Sequence, residues 1–364
     1  MKIKDVVSYL SSIAPPAYQE SYDNAGLITG DPGWEVRGAL VTLDCTEPVV
    51  DEAVAAGANL IVAHHPILFR GIKRLTGATY VERTLIKAIR NDIAIYAMHT
   101  NLDNVLGGVN SKIAEKIGLV NTRILLPKKD TLAKLVTFVP HENAEAVLSA
   151  LHEAGAGQIG NYKNCSFRVA GQGAFMPVEG ANPHIGEKDK LEIVDETRVE
   201  VIFPAWQEGQ ILDALRKSHP YEEVAYYLTP LVNENQEVGS GLIGELQQPE
   251  EPMAFLQRLK ISMDLPMIRH TRIPGQKIRK IAVCGGAGSF LLSKAIQAGA
   301  DAFISADFKY HEFFDADNRI LVADIGHYES EIHTKELLRE LLTKKFHTFA
   351  SNFSKTVTNP ISYL

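Results

Sequence analysis

The sequence predicts an α/β protein made of two related α/β halves that form one domain, interrupted by a ferredoxin-like α+β insert. Three observations carry this. Apolar strand-like runs alternate with helical stretches near both ends of the chain, the pattern of parallel βαβ units. One such unit recurs: residues 39–65 read Ala-Leu-Val-Thr-Leu-Asp, a helical stretch to Ala56-Gly57-Ala58, then Asn-Leu-Ile-Val-Ala-His-His. Residues 281–307 read Ile-Ala-Val-Cys-Gly-Gly, a helical stretch to Ala298-Gly299-Ala300, then Asp-Ala-Phe-Ile-Ser-Ala-Asp. The middle of the chain has a different rhythm. In both copies a glycine, Gly57 or Gly299, stands where a left-handed helix stop is needed, and the register sets His65 opposite Asp307. Chance likeness among common βαβ patterns is the competing reading of the repeat.

In the first half, a strand near 39–43 ends at Asp44, and the apolar run 59–63 stops at His64-His65-Pro66. After a further helical stretch, the run 93–98 ends in His99-Thr100-Asn101-Leu102-Asp103. In the second half, Gly285-Gly286-Ala287-Gly288-Ser289 joins strand to helix, the next strand ends at Asp307, and the run 320–325 ends in Gly326-His327. A helix begins at His327, and Glu331 lies four residues on, so both side chains share one face of its first turn.

The middle stretch, 128–232, reads strand (132–139), helix (143–155), a polar Gly-rich strand region through Gly173, and a loop. A strand (197–203), a helix (207–217) and a last strand (224–228) complete it. This is the split βαβ pattern. Polar linkers at 127–130 and 233–237 bound it, leaving 1–127 and 233–364 as the two halves. Ser218-His219-Pro220-Tyr221-Glu222-Glu223 reads as a helix stop and turn, with a ligand site as the alternative. His184 carries no pattern.

Composition narrows the function classes. The net charge of −7 argues against a general nucleic-acid binder, and the basic stretch 272–280 reads as a solvated loop. Cys45, Cys165 and Cys284 are single and widely spaced, which fits a reducing compartment and neither disulfides nor a thiolate metal site. Met-Lys-Ile-Lys-Asp lacks an apolar signal core, and no apolar run is long enough to span a membrane, so the expected location is the cytoplasm.

Apolar strands of an α/β sheet deliver the residues at their ends to its carboxyl edge, where such sheets bind ligands. Here three strands end in imidazoles or carboxylates, the ligands that borderline divalent metals favour. Neighbouring strand residues point to opposite faces. His64 and His65 therefore share one metal only if the chain turns there; otherwise they serve two metals, or one serves none. The bland alternative is a histidine pair satisfied by backbone partners.

At these residues the chain resembles the Nif-three-like family, also labelled GTP cyclohydrolase 1 type 2 homologs. The resemblance runs over essentially the whole chain. It rests on Tyr22-Asp23-Asn24-Ala25-Gly26-Leu27, Ala63-His64-His65-Pro66, His99-Thr100-Asn101-Leu102-Asp103, Gly326-His327-Tyr328-Glu329-Ser330-Glu331 and Asn359-Pro360-Ile361. It implies a dinuclear metal site of His64, His65, Asp103, His327 and Glu331. It also implies a homohexameric ring, and an insert like the PII/CutA module of the longer bacterial members.

Three imidazoles and two carboxylates suit two divalent ions, with zinc, iron, manganese and nickel equally compatible. Carboxylates bridge metals where imidazoles do not, so Asp103 and Glu331 are expected at the centre. Two close cations make hydroxide available from a bridging water and polarise a substrate oxygen, which is hydrolytic chemistry. Asp44 and Asp307 are the candidate catalytic residues: each orients a ligand histidine or carries a proton, against the alternative of capping the following helix. His99 and His333 are read as outer or surface histidines, and 285–289 as a tight turn, with an anion cradle as the alternative. A hydrolase of a nucleotide-like or other small anionic substrate is the leading function. A non-catalytic metal-binding or regulatory protein and a scaffold are the alternatives.

Overall fold

A computed structural model describes all 364 residues. The chain divides into two compact units, Met1–Leu126 with Val238–Leu364, and Pro127–Glu237.

In the first unit, helix α1 (Ile3–Ile13) precedes edge strand β1 (Gly26–Thr29). Next come β2 (Gly38–Thr42), α2 (Glu47–Ala55), β3 (Leu60–Ala63), α3 (Tyr80–Arg90) and β4 (Ala94–Ala97). The single turn α4 (Thr100–Asp103), helix α5 (Val109–Ile117) and strand β5 (Leu119–Lys128) complete this half. β2, β3 and β4 run parallel, and β1 pairs antiparallel with β4.

The second unit contains β6 (Leu132–Pro140), α6 (Ala144–Glu153), β7 (Phe167–Phe175), β8 (Glu192–Pro204), α7 (Glu208–Ser218) and β9 (Tyr226–Leu231). Its four-stranded antiparallel sheet has the order β7-β8-β6-β9, the arrangement of a split βαβ unit. Val147, Leu148, Ile211 and Leu215 of the two helices pack on one face of the sheet, against Leu135, Val199 and Val201.

The chain returns to the first unit with β10 (Asn235–Glu250), α8 (Pro252–Ser262), β11 (Arg269–His270), β12 (Ile278–Ala287), α9 (Leu292–Gln297), β13 (Ala302–Ala306) and β14 (Leu321–Asp324). It closes with α10 (His327–Glu331), α11 (Thr334–Lys345) and β15 (Ala350–Phe353). The polar stretches near 127 and 233 are not free linkers: β5 runs to Lys128 and β10 starts at Asn235.

The two sheets of the first unit, β1-β4-β3-β2-β15 and β11-β14-β13-β12-β10-β5, share one motif. Each contains a run of three consecutive parallel strands, β2-β3-β4 or β12-β13-β14, with an antiparallel edge strand on the third; in the first sheet β15 adds a fourth parallel strand beside β2. Ala39 pairs with Leu60 and Ile281 with Ala302, so the strand-to-strand offset matches in the two halves. Alternation explains the burial on both faces: Ala39, Val41, Leu60 and Val62 enter a core shared by both sheets, while Leu40, Ile61 and Ala63 face α2 and α3. Ile281, Val283 and Ile304 join the same central core, filled by Val6 and Leu10 of α1, Ile113 of α5, Phe255 of α8 and Leu338 of α11. Ala282, Phe303 and Val322 pack outward with α9.

Candidate metal centre

The ends of β3 and β4 and the start of α10 bring imidazoles and carboxylates to one place. After Ala63 the chain bends, with the N–H groups of His64 and His65 both donating to the Leu43 carbonyl, at 3.1 and 2.9 Å. The bend puts the two rings 4.8 Å apart instead of on opposite faces of the strand. His327 opens α10 after Gly326 (φ 90°), and Glu331 completes that turn on the same face, 3.1 Å from His327 Nε2.

Glu331 is the hub. Its Oε2 lies 2.9 Å from His65 Nε2 and 3.8 Å from His64 Nε2. Asp103 enters from α4, with Oδ1 at 3.7 Å from His64 Nε2. The sequence-derived ligand set is therefore brought together at one locus. His99 joins it: its ring stands 5.4 Å from those of His64 and His65. Two groups of ligand atoms, His64 with His65 and His99, and His65 with His327 and Glu331, each lie within 4.8 Å of one another.

Every one of these imidazoles is held by Nδ1. His64 donates to the Met98 carbonyl (2.8 Å), His65 to Asp44 Oδ1 (2.7 Å), His99 to Asp23 Oδ1 (2.7 Å) and His327 to Asp307 Oδ2 (2.6 Å). An Nδ1–H held by oxygen fixes the ring and leaves Nε2 to act as a ligand, the usual support of a metal-binding histidine. Two buried atoms here, His64 Nε2 and Asp103 Oδ1, have no hydrogen-bond partner. Buried polar atoms rarely stay unsatisfied, so the donor set fits a cation.

The proton chemistry agrees. Burial lowers the pKa of His64 to about 4, keeping it a neutral donor. At His65 burial opposes charge, but Asp44 and Glu331 outweigh it and raise the pKa to about 10. Burial is likewise overcome at His327, where Glu331 and Asp307 raise it to about 9. Burial and the charge of Glu331 push Asp103 well above the ordinary carboxylate range, whereas three imidazoles hold Glu331 well below it despite burial. In the metal-free chain, protons on His65 and His327 balance Glu331, and a divalent cation would replace them.

Asp44 and Asp307 hold histidines by their side chains instead of capping helices. Asp44 also accepts from Thr358 Oγ1 at 2.7 Å. Asp307 sits at φ 57°, and buried Asp324 braces the adjoining turns by accepting from the N–H groups of Phe308 (3.0 Å) and Gly326 (3.1 Å). Sequence reasoning missed Asp23, buried beneath His99; burial opposes its ionisation, yet hydrogen bonds from His99 and Thr100 lower its pKa to about 2. The irregular segment around it offers no periodic signal.

The glycine-rich turn is structural. Gly285 N donates to Asn110 Oδ1 (2.9 Å) and Gly286 N to Ser330 Oγ (3.0 Å), so neither N–H is left for an anion. His333 donates to Glu336 Oε1 in the following helix (2.9 Å). His219 bridges the Phe138 carbonyl (2.9 Å) and the Tyr221 N–H (3.1 Å), as a turn residue would.

Fold and site together define a mixed α/β protein with a histidine–carboxylate cluster able to hold a metal ion. The chain belongs to the Duf34/NIF3 (NGG1p interacting factor 3) family, whose profile matches residues 1–360. It is 39% identical over 364 residues to a Halalkalibacterium halodurans protein named GTP cyclohydrolase 1 type 2 homolog, spanning 99% of this chain and 98% of that one. A Bacillus subtilis protein of the same name is 38% identical over 369 residues, with 99% and 98% covered. Among solved structures, a Bacillus cereus protein related to NIF3 superposes with a TM-score of 0.87 at 37% identity, covering 100% of this chain and 99% of that one. A Staphylococcus aureus protein gives 0.79 at 31% identity, with 100% and 99% covered.

Proposed function

We propose that this chain binds two divalent ions and is a metal-dependent hydrolase of a small anionic, nucleotide-like substrate, with ring-opening cyclohydrolase chemistry as one form. The observation that carries the reading is the set of imidazoles with Nδ1 held by oxygen around Glu331, beside the unpartnered His64 Nε2 and Asp103 Oδ1. His64, His65, Asp103, His327 and Glu331 would hold the ions, with the two carboxylates between them. Bound divalent ions supply Lewis acidity and lower the pKa of water beside them.

The chain's own groups prepare that site. Asp44 and Asp307 fix the tautomers of His65 and His327. Both carboxylates are partly exposed at the site, so either can also accept a proton from an attacking water. The relatives' name, GTP cyclohydrolase 1 type 2 homolog, favours a nucleotide as substrate.

The same reading extends to assembly and location. We assign a ring-shaped homohexamer, a PII/CutA-like character to the split βαβ unit, and the cytoplasm, where Cys45, Cys165 and Cys284 stay unpaired. No helix is long and apolar enough to cross a membrane.

The test is metal analysis of protein purified without chelators, then a hydrolysis screen of nucleotides with zinc, iron, manganese and nickel. Metal near two ions per chain and turnover of a nucleotide are expected. A fully loaded protein that turns over none of them would replace the hydrolase with a metal-binding or regulatory protein.

A further inference from the structure

Remote in sequence from the metal ligands, the second unit holds a cavity of about 460 Å³ on the face of its sheet opposite the helices. Alternation puts it there. Leu135 and Val139 of β6 and Val199 and Val201 of β8 enter the core under the helices, so Phe138 and Glu196 point the other way. Glu196 is only 7% exposed, yet no cation pairs with it. Tyr221 Oη donates to its Oε1 at 3.0 Å. Gly173 makes room for the other oxygen: a Cβ there would fall 2.1 Å from Oε2.

A carboxylate this buried is costly without a compensating charge. The cations of the same face are already engaged, Lys134 and Arg198 both pairing with Glu200 at 3.1 and 2.7 Å. No Lys or Arg lines the cavity. Aromatic rings do. Phe175 and His184 flank Tyr221 at 6.0 and 6.2 Å, and Phe138 meets Tyr227 edge-on at 5.7 Å. The loop bearing His184 is tied across the opening by the Asn182 N–H, which donates to Glu222 Oε1 at 2.7 Å.

We propose that this cavity binds a small organic cation with an N–H-bearing head, an alkylammonium or guanidinium. Glu196 accepts the charged N–H groups and the aromatic rings receive the positive face. The volume suits a small molecule. Carboxylates without balancing cations disfavour an anion. A transition metal is disfavoured too, since the clusters of close His and carboxylate ligand atoms lie elsewhere, in the first unit.

Calorimetry on the full-length protein, with agmatine as probe and choline and zinc as comparators, tests this. Agmatine is expected to bind, and choline, which lacks N–H donors, to bind more weakly. Glu196→Gln should weaken agmatine about tenfold or more, the worth of a hydrogen bond to a charged group. Tyr227→Ala, at a side chain with 62% exposure and little folding burden, should weaken it as well. Amide shifts on titration should fall in β6–β9 and the 176–190 loop. The proposal is overturned by any of three results: no agmatine binding up to millimolar concentration, undiminished binding by both variants, or shifts confined to the metal centre.

Discussion

His65 Nε2 and Glu331 Oε2 lie 2.9 Å apart although 266 residues separate them in the chain. One carboxylate on α10 thereby joins the imidazole that ends β3 to His327 on its own helix. A buried carboxylate at such a junction is held by whatever positive charge stands between the rings. Removing it leaves His65 and His327 without their common partner, and on the proposed two-ion reading takes away a carboxylate ligand from between the ions. Glu331→Ala or Asp103→Ala is therefore expected to abolish most metal retention while the circular dichroism spectrum stays native. Metal content per chain is the measurement, and full occupancy in either variant would count against the bridging role.

The same contacts set the acid–base behaviour of the metal-free protein. The pKa values of His65 and His327 are raised to about 10 and about 9 in the folded chain, against about 6.5 for an unfolded histidine. Raised values stabilise the fold fully below the unfolded pKa, and that stability is lost as pH climbs through the folded values. Chelator-treated protein should therefore lose thermal stability between about pH 7 and pH 10. Metal uptake must expel the same protons, so affinity should rise with pH over that range. A melting temperature of chelated protein that holds level across it would contradict the assignment.

Asp44 and Asp307 offer a subtler test, because they touch no proposed ion. Replacing each by Asn keeps size and, at Asp307, tolerance of the left-handed φ of 57°. The amide can no longer hold the imidazole as a carboxylate does. Asp44→Asn and Asp307→Asn should each weaken metal affinity by roughly 10- to 100-fold, read by competition with a chelating dye. An unchanged affinity in both would reduce them to bystanders.

All five proposed ligands belong to the unit formed by Met1–Leu126 and Val238–Leu364. Replacing 127–237 with a short Gly-Ser linker should then leave metal uptake intact. Loss of metal from a folded, soluble deletion variant would show that the second unit contributes to the site.

Much of this was legible in the sequence where burial leaves a mark. β3, β4 and β14 are buried on both faces, so they read as apolar runs, broken only by Asp324 in β14, whose ends announce His64, His99 and His327. The four-residue spacing of His327 and Glu331 survives intact as one helical turn. The illegible parts depend on tertiary structure. The bend after Ala63 that turns His64 and His65 to one side is set by the Leu43 carbonyl of a neighbouring strand end. Asp23 reaches His99 from an aperiodic segment. The end of β5 and the start of β10 run into stretches that look like polar linkers, which hid where these neighbouring strands stop and start.

Gly286 gives the last prediction, and it removes no ligand. Its φ is 60°, and a Cβ there would lie 2.4 Å from Glu331 Oε1 and 3.2 Å from His327 Cε1. Gly286→Ala must displace the carboxylate around which the imidazoles gather. Gly299 is the matched control: its φ is 72°, it lies just beyond α9 in the same half, and its added Cβ would meet only Lys280 Nζ at 4.0 Å. Both alanines carry a similar backbone penalty of about 1 kcal/mol. Only the first should lower metal content, and both should lower the melting temperature by a few degrees or less. Equal metal loss in the two variants would trace the effect to backbone strain and deny Gly286 its role of making room for Glu331.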